Sequence, residues 1–226
     1  MSGDGARVTI RPPLRGLPGT KDGRSGRAWH SGVVVRLPSE IVTPRLLLRL
    51  WRPGDVPALR GAIEASIEHL RPWLAWTRFE PLSDKDRVDL INSGRAGWHQ
   101  GGDASYGAFR EDVVIGACGL HHRQGPGTLD LGYWVHVDHV GRGYAVEMAR
   151  GLTSAAFGVP GVERVEIHHD KANTRSRVVP QSLGFVEGPQ RSDGVHSGGE
   201  VGIDCSWRIS RSGWEAGESR NQASSR

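Results

Sequence analysis

Two short stretches hold the groups best suited to chemistry. The first is Leu131-Gly132-Tyr133-Trp134-Val135-His136-Val137-Asp138-His139-Val140-Gly141-Arg142-Gly143-Tyr144-Ala145. An alternating apolar run gives way there to a glycine-containing turn and then to helical spacing. The first turn of a helix exposes N–H groups without intrahelical partners at the positive end of its dipole. Glycines let phosphate oxygens approach such a backbone, so the amides of Gly141, Arg142, Gly143, Tyr144 and Ala145 suit a pyrophosphate. In a chain with 32 glycines a G-x-G triplet means little by itself; the position between strand and helix makes it a candidate. A dinucleotide fold would place G-x-G-x-x-G after an early strand, with an acid about 20 residues on. This turn comes late, and no Walker-type G-x-x-x-x-G-K-S/T segment exists. The second stretch runs over residues 167–185, from Ile167-His168-His169-Asp170 through Asn173-Thr174-Arg175-Ser176 to Leu183-Gly184-Phe185. Asn173 opens a short helix, where its type also suits an N-cap. Ser176, three residues on, shares its helix face.

The elements that must position these groups follow from periodicity. Residues 45–50 are short, apolar and strand-like. Pro53-Gly54-Asp55 then punctuates, and residues 56–67 have helical spacing, with Asp55 as N-cap. A Trp-rich connector over residues 69–76 leads to a second helix, capped by Ser83 and running towards His99. Strands over 105–110 and 113–120 flank a turn at Glu111-Asp112, and residues 129–137 alternate as a third strand. Helical spacing over 142–157 puts Ala145, Met148, Ala149, Leu152 and Ala156 on one face. A strand at 165–168, a helix over 174–183 and strands from 185 and over 203–209 complete the order. This predicts a mixed α/β fold, its sheet antiparallel early and carrying a βαβ crossover later.

Composition narrows the class. The 226 residues, 37% hydrophobic and 24% charged, fit one domain of about 40–209 with polar ends. Residues 1–39 hold seven bases and two acids, so the remaining 22 bases and 23 acids nearly balance, and the net charge of +4 belongs to the arm. That arm lacks periodicity and is expected to be an unstructured extension; an electrostatic nucleic-acid contact of its basic residues, with RNA or the ribosome, stays open as the alternative. A polar tail is expected over 210–226, with Trp214 docking locally. No apolar run approaches a membrane span, and no apolar h-region marks a secretory signal. Cys118 and Cys205 form neither a disulfide framework nor a zinc site, which fits a reducing cytoplasm.

The two stretches together resemble the GNAT acetyltransferases, and within them the RimJ/RimL type that acetylates ribosomal-protein N-termini. Thr43-Pro44-Arg45-Leu46-Leu47-Leu48-Arg49 and Leu70-Arg71-Pro72-Trp73-Leu74 are similar to that branch as well. The resemblance covers about residues 41–190. It implies a mixed central sheet of about six to seven strands with four flanking helices, splayed at the cofactor site. It also implies transfer of acetyl from acetyl-CoA, without a metal, by direct attack of an amine on the thioester. Backbone groups of Val135 and Val137 would meet the pantetheine, amides of residues 141–145 the pyrophosphate, and Asn173 the cofactor. Ser176 would meet the departing thiolate. Glu166 and His168, which share a strand face, and His136 near the splay are candidates for the base. Trp73 and Trp76 stand where the family builds its acceptor wall, near Glu64, Glu68, Glu80, Asp84 and Asp86. Two positions depart from the pattern. Val140 stands where the family's pyrophosphate motif begins with Gln or Arg. Pro180, seven residues after Asn173, rules out a tyrosine acid there. The acceptor implied is a protein N-terminal amine. A small amine such as an aminoglycoside or polyamine, a silent acyl-CoA sensor, and a homodimer all stay open.

Overall fold

A computed structural model describes residues 36–224. The expectation of an unstructured arm falls largely on residues 1–35, outside the described residues. Leu37 is already buried. The carbonyls of Leu37 and Pro38 accept from Trp98 Nε1 at 2.8 Å and the Tyr106 hydroxyl at 2.7 Å. The domain therefore begins a few residues before the expected boundary.

One mixed sheet of eight strands runs through the domain. They are β1 (Glu40–Val42), β2 (Leu47–Leu50), β3 (Ala104–Arg110), β4 (Val113–His121), β5 (Thr128–Val135), β6 (Arg164–Asp170), β7 (Val186–Ser192) and β8 (Ile203–Ser210), in the order β1-β2-β3-β4-β5-β6-β8-β7. Every pairing is antiparallel except β5 with β6. Five helices flank it: α1 (Val56–Leu70), α2 (Asp84–His99), α3 (Tyr144–Phe157), α4 (Thr174–Ser182) and α5 (Arg211–Ser224). The fold class is the expected one. The additional strand is β1, too short for periodicity to reveal. The additional helix, α5, corrects the polar-tail reading: Trp214 is buried, and the Arg211 guanidinium donates to the carbonyls of Phe157, Val159 and Val162. Few apolar residues are needed when one tryptophan and one capping arginine fix the helix.

The α3 face read from spacing is the one buried: Met148, Ala149, Leu152 and Ala156 pack with Leu129, Leu131, Tyr133 and Val135 of β5 and with Val165 and Ile167 of β6. On the opposite face α1 and α2 pack Val56, Ile63, Leu70 and Ile91 with Trp51, Phe109, Ala117 and Trp134. Ser83 caps α2 as expected, its Oγ accepting from Asp86 N. Asp55 stands at the N-cap of α1 as expected, but its side chain makes no cap hydrogen bond. Its carboxylate is taken by Arg49, at 2.7 and 2.8 Å, and by Arg52 N at 2.8 Å, a charge-assisted fork that outcompetes a single backbone donor.

Candidate active site

The parallel seam sets the site. Thr128, Leu129 and Asp130 of β5 pair with Arg164, Val165 and Glu166 of β6, and the two strands then part. β4 stays paired with β5 as far as Val135, and β8 with β6 as far as Asp170. The result is a wedge in the sheet, closed at Thr128 and open at Val135 and Asp170, with unpaired main-chain groups along its inner edges. α3 follows β5 and α4 follows β6, so both helices begin at the open end, where a doubly wound sheet receives ligands.

At the end of β5 the chain turns through a 3₁₀ segment, Val137–His139, and reaches Gly141 and Gly143 at φ 73° and 78°. Left-handed backbone at both positions explains the glycines, and no atom lies within 4 Å of where a Cβ would stand on Gly141. The helical ladder starts with Glu147 N–H on Gly143 O at 3.1 Å, which leaves the preceding amides directed out of the helix. Val137 differs from expectation: it lies past the strand, and its N–H donates to Ser66 Oγ at 3.1 Å. Val135, the last residue of β5, remains at the mouth of the wedge.

Sequence reasoning placed the Thr43-Pro44-Arg45 segment only by resemblance; the structure gives it a task. Glu147 accepts from Thr43 Oγ1 at 2.7 Å, Arg45 N at 2.7 Å and Arg45 Nε at 2.6 Å. Burial alone would raise the Glu147 carboxyl, and these three donors hold it below the usual range instead. Arg45 also donates to Arg142 O at 3.0 Å and lies 4.5 Å over the Tyr144 ring. One arginine thus neutralises an acid in the first turn of α3 and braces the glycine turn. Arg142 itself is exposed, and Tyr144 is buried with its hydroxyl accepting from Arg110 at 3.2 Å.

At the end of β6, Asp170 organises the second turn. Its carboxylate accepts from the main-chain N–H groups of Ala172, Val201, Gly202 and Ile203, and these donors outweigh burial in holding it below the usual range. Asn173 caps α4 through Oδ1, which accepts from Ser176 N at 3.2 Å. Its other side-chain atom, Nδ2, is buried and has no partner. Ser176 is buried, with its Oγ 3.3 Å from the Tyr133 hydroxyl. Burial pushes that phenol well above its usual range, so it stays a neutral donor or acceptor. Tyr133 was not singled out from the sequence; the alternation of β5 could have shown that it faces the crossover helices.

Glu166 and His168 do share one face of β6, but together. His168 Nδ1 lies 2.8 Å from Asp204 and its Nε2 3.2 Å from Glu166. Burial works against the charge, yet the two carboxylates prevail and raise the imidazole to about 10. Held between two carboxylates, His168 is biased towards its protonated form near neutral pH. Glu166, also 2.9 Å from Arg164, is held below the usual range chiefly by His168. His136 accepts from Asp138 N through Nδ1 at 3.1 Å. Trp73 and Trp76 pack, half-buried, against the cluster of α1 and α2, and Trp76 Nε1 is buried without a partner. The surrounding acids are engaged: Glu80 with Arg87, Asp84 and Glu64 with Arg60, Glu68 with Arg71, and Asp86 with Ser83. Among the described residues no group of three or more His, Cys, Asp or Glu could hold a metal ion, and no helix is long and apolar enough to cross a membrane.

The sheet is thus split at its parallel seam, and two helix N-termini meet at the open end. The sequence matches the acetyltransferase (GNAT) domain over residues 45–186, and the chain belongs to that family of acyltransferase enzymes. A curated relative, YdaF of Bacillus subtilis (strain 168), named as a candidate ribosomal N-acetyltransferase, is 26% identical over 159 residues, covering 70% of this chain and 87% of its own. Among solved structures, RimL, a ribosomal L7/L12 alpha-N-protein acetyltransferase in complex with coenzyme A, superposes with a TM-score of 0.68 at 17% identity, over 77% of this chain and 97% of its own. Mycobacterium smegmatis RimJ with a coenzyme A disulfide gives 0.65 at 20%, over 76% and 85%. At these identities the two structures establish the fold alone.

Proposed function

We propose that this chain transfers acetyl from acetyl-CoA to the α-amino group of a protein N-terminus. The observation that carries this reading is Asn173 Nδ2, a buried donor without a partner at the open end of the wedge. An orphaned buried amide costs stability that a ligand carbonyl would restore. Acetyl-CoA, when bound, supplies an activated acetyl group. The amides of residues 141–145 hold its pyrophosphate, while Val135 and Asn173 hold the pantetheine. Val140 contributes its backbone there and no polar side chain, and Arg45 keeps the Glu147 charge from opposing the phosphates. The acceptor nitrogen attacks the carbonyl carbon as a neutral amine, an amide forms, the C–S bond breaks, and the departing thiolate accepts a hydrogen bond from Ser176 and takes up the proton that the amine has released. An α-amino group, with a pKa near ~8, reaches the neutral form more readily than a lysine near ~10.4. The amine proton leaves to Glu166 or to water, since His168 is biased towards its protonated form.

The paired acids around Trp73 and Trp76 favour this acceptor over a polycation. A pocket for an aminoglycoside or polyamine would present free carboxylates, and here arginines engage four of the five. The two buried free thiols fit a cytoplasmic setting. Free-thiol release from acetyl-CoA tests the reading, with N-terminal peptides and small amines as acceptors. Turnover with peptides supports it. Turnover with small amines alone, or coenzyme A binding without turnover on any acceptor, would replace it with the small-amine or the sensor reading.

A further inference from the structure

We propose that Asp170 is a positioning residue that couples the grip on coenzyme A to the seating of the acceptor wall. The proposal rests on the functional reading above and extends it to a residue that touches neither ligand.

Asp170 is the last residue of β6 and only 2% exposed. Its Oδ1 accepts from Ala172 N at 2.8 Å and from Val201 N at 3.1 Å; Oδ2 accepts from Gly202 N at 2.9 Å and Ile203 N at 3.1 Å. Four N–H groups fill the roughly four lone-pair sites of a carboxylate. They come from two different places. Ala172 is the residue before Asn173, whose own N–H donates to Asp170 O at 2.9 Å, so one side of the fan sets the turn that aims the Asn173 side chain. The other three donors close the segment between β7 and β8.

That segment, residues 193–202, crosses to the connector that follows α1. Gly199 N–H donates to Pro72 O at 2.9 Å, and a Cβ on Gly199 would stand 2.8 Å from both Pro72 Cβ and Pro72 O. Backbone therefore presses on backbone immediately before Trp73. The segment is folded on itself by Glu200, whose carboxylate accepts from His196 N and Ser197 N, and by Asp193 N–H on Gly202 O. It forms a strap, anchored on Pro72 at one end and on Asp170 at the other. Oδ1 is shared between the strap and the Asn173 turn, beside the Lys171 N–H bond to Ile203 O at 2.8 Å. Whatever orders one is transmitted to the other, and by linkage the effect is reciprocal.

Asparagine at this position keeps one acceptor oxygen and turns an NH₂ group towards two N–H donors, so two of the four bonds fail in either orientation. Coenzyme A titration by calorimetry and amide exchange, both on the full chain, test the coupling. In the wild type, coenzyme A slows exchange at residues 141–145 and also at 199–203. In Asp170→Asn, coenzyme A binds about tenfold more weakly, the effect of losing one charge-assisted bond. It still protects 141–145 but no longer 199–203. Gly199→Ala, which lifts the strap from Pro72 without touching the cofactor turn, raises the acceptor KM and weakens coenzyme A by about threefold, at the low end for a neutral hydrogen bond. A folded Asp170→Asn that binds coenzyme A like the wild type, or that keeps protection at 199–203, overturns the proposal. If Asp170→Asn does not fold, Gly199→Ala decides: unchanged coenzyme A affinity overturns it. A wild-type chain that binds no coenzyme A overturns the functional reading instead, and that result is seen before any variant is compared.

Discussion

Asn173 joins two roles that one pair of substitutions separates. Its Oδ1 caps α4 and its Nδ2 is a buried donor without a partner. Asn173→Ala removes both. Loss of the cap costs about 1 kcal/mol. Removal of an unsatisfied buried donor returns about 1–3 kcal/mol. The stability of the ligand-free protein should therefore move by no more than about 1–2 kcal/mol, upwards where removal of the orphaned donor dominates and downwards where loss of the cap does. Binding behaves differently, because the ligand loses the donor that was waiting for it. A loss of about 2 kcal/mol, in the range for a buried polar group left without its partner, is roughly thirtyfold in Kd. At a coenzyme A concentration a hundredfold above the wild-type Kd, ligand stabilisation then falls from about 2.7 to about 0.9 kcal/mol. Denaturant unfolding with and without coenzyme A measures both numbers. Asn173→Ser, which retains a capping oxygen and lacks the amide, should reproduce the binding loss with less change in the free protein. The reasoning fails if Asn173→Ala costs the free protein about 1 kcal/mol, the value of a lost cap, while the stabilisation by coenzyme A is untouched. Asn173 would then be a helix cap and nothing more.

Three further substitutions probe the site. Ser176→Ala should lower kcat by about 100-fold, the scale of one hydrogen-bond donor aimed at developing charge, while coenzyme A affinity stays within about twofold; equal losses in kcat and affinity would assign Ser176 to packing against Tyr133. Arg45→Ala should weaken coenzyme A more than Arg45→Ala combined with Glu147→Ala, because the single variant leaves a bare carboxylate in the first turn of α3; calorimetry in low salt reads the order, and the reverse order would reject the neutralising role. His168 is raised to about 10 between Asp204 and Glu166, above its unfolded value, so its contribution is complete below about 6.5 and is lost as pH rises through about 10. His168→Gln should accordingly destabilise the protein at pH 7 by about 2 kcal/mol, below the full figure for a buried pair because the group is partly exposed. The gap to wild type should close towards pH 10.5, and the kcat–pH profile between 6 and 8 should not change. A lost basic limb in that profile would mark His168 as the base.

The α/β order, the glycine turn and the Asn173 cap were legible because each rests on a local rule: alternation along β5, a buried face on α3, glycine where φ is positive. What stayed hidden depends on contacts between distant residues. β1 spans three residues and pairs only because β2 lies beside it. α5 hangs on Trp214 and on the Arg211 guanidinium, which reaches carbonyls about fifty residues earlier. The shared face of Glu166 and His168 was correctly drawn from strand period, but that period says nothing of Asp204 on the neighbouring strand, whose carboxylate helps to raise the imidazole. Likewise the five acids near the tryptophans looked free as letters and are engaged in space. Val137 sits two residues beyond the strand's end at Val135, where the boundary is least certain from alternation.

The wedge has a mechanical consequence. β1 to β5 form one half-sheet and β6 to β8 another, joined at the seam by the pairs from Thr128 to Asp130 and by the α3 crossover. Such a joint bends at its closed end more easily than either half bends internally. From Leu131 to Val135 the free edge is about 17 Å long at ~3.3 Å per residue. A rotation of about 5° about the seam moves the open end by roughly 1.5 Å, the length of one carbon–carbon bond. Tolerance for acyl groups longer than acetyl would then be limited by the stiffness of this joint and not by the side chains lining the cleft. Substitutions around Thr128, far from every reacting atom, become the natural way to tune chain-length selectivity.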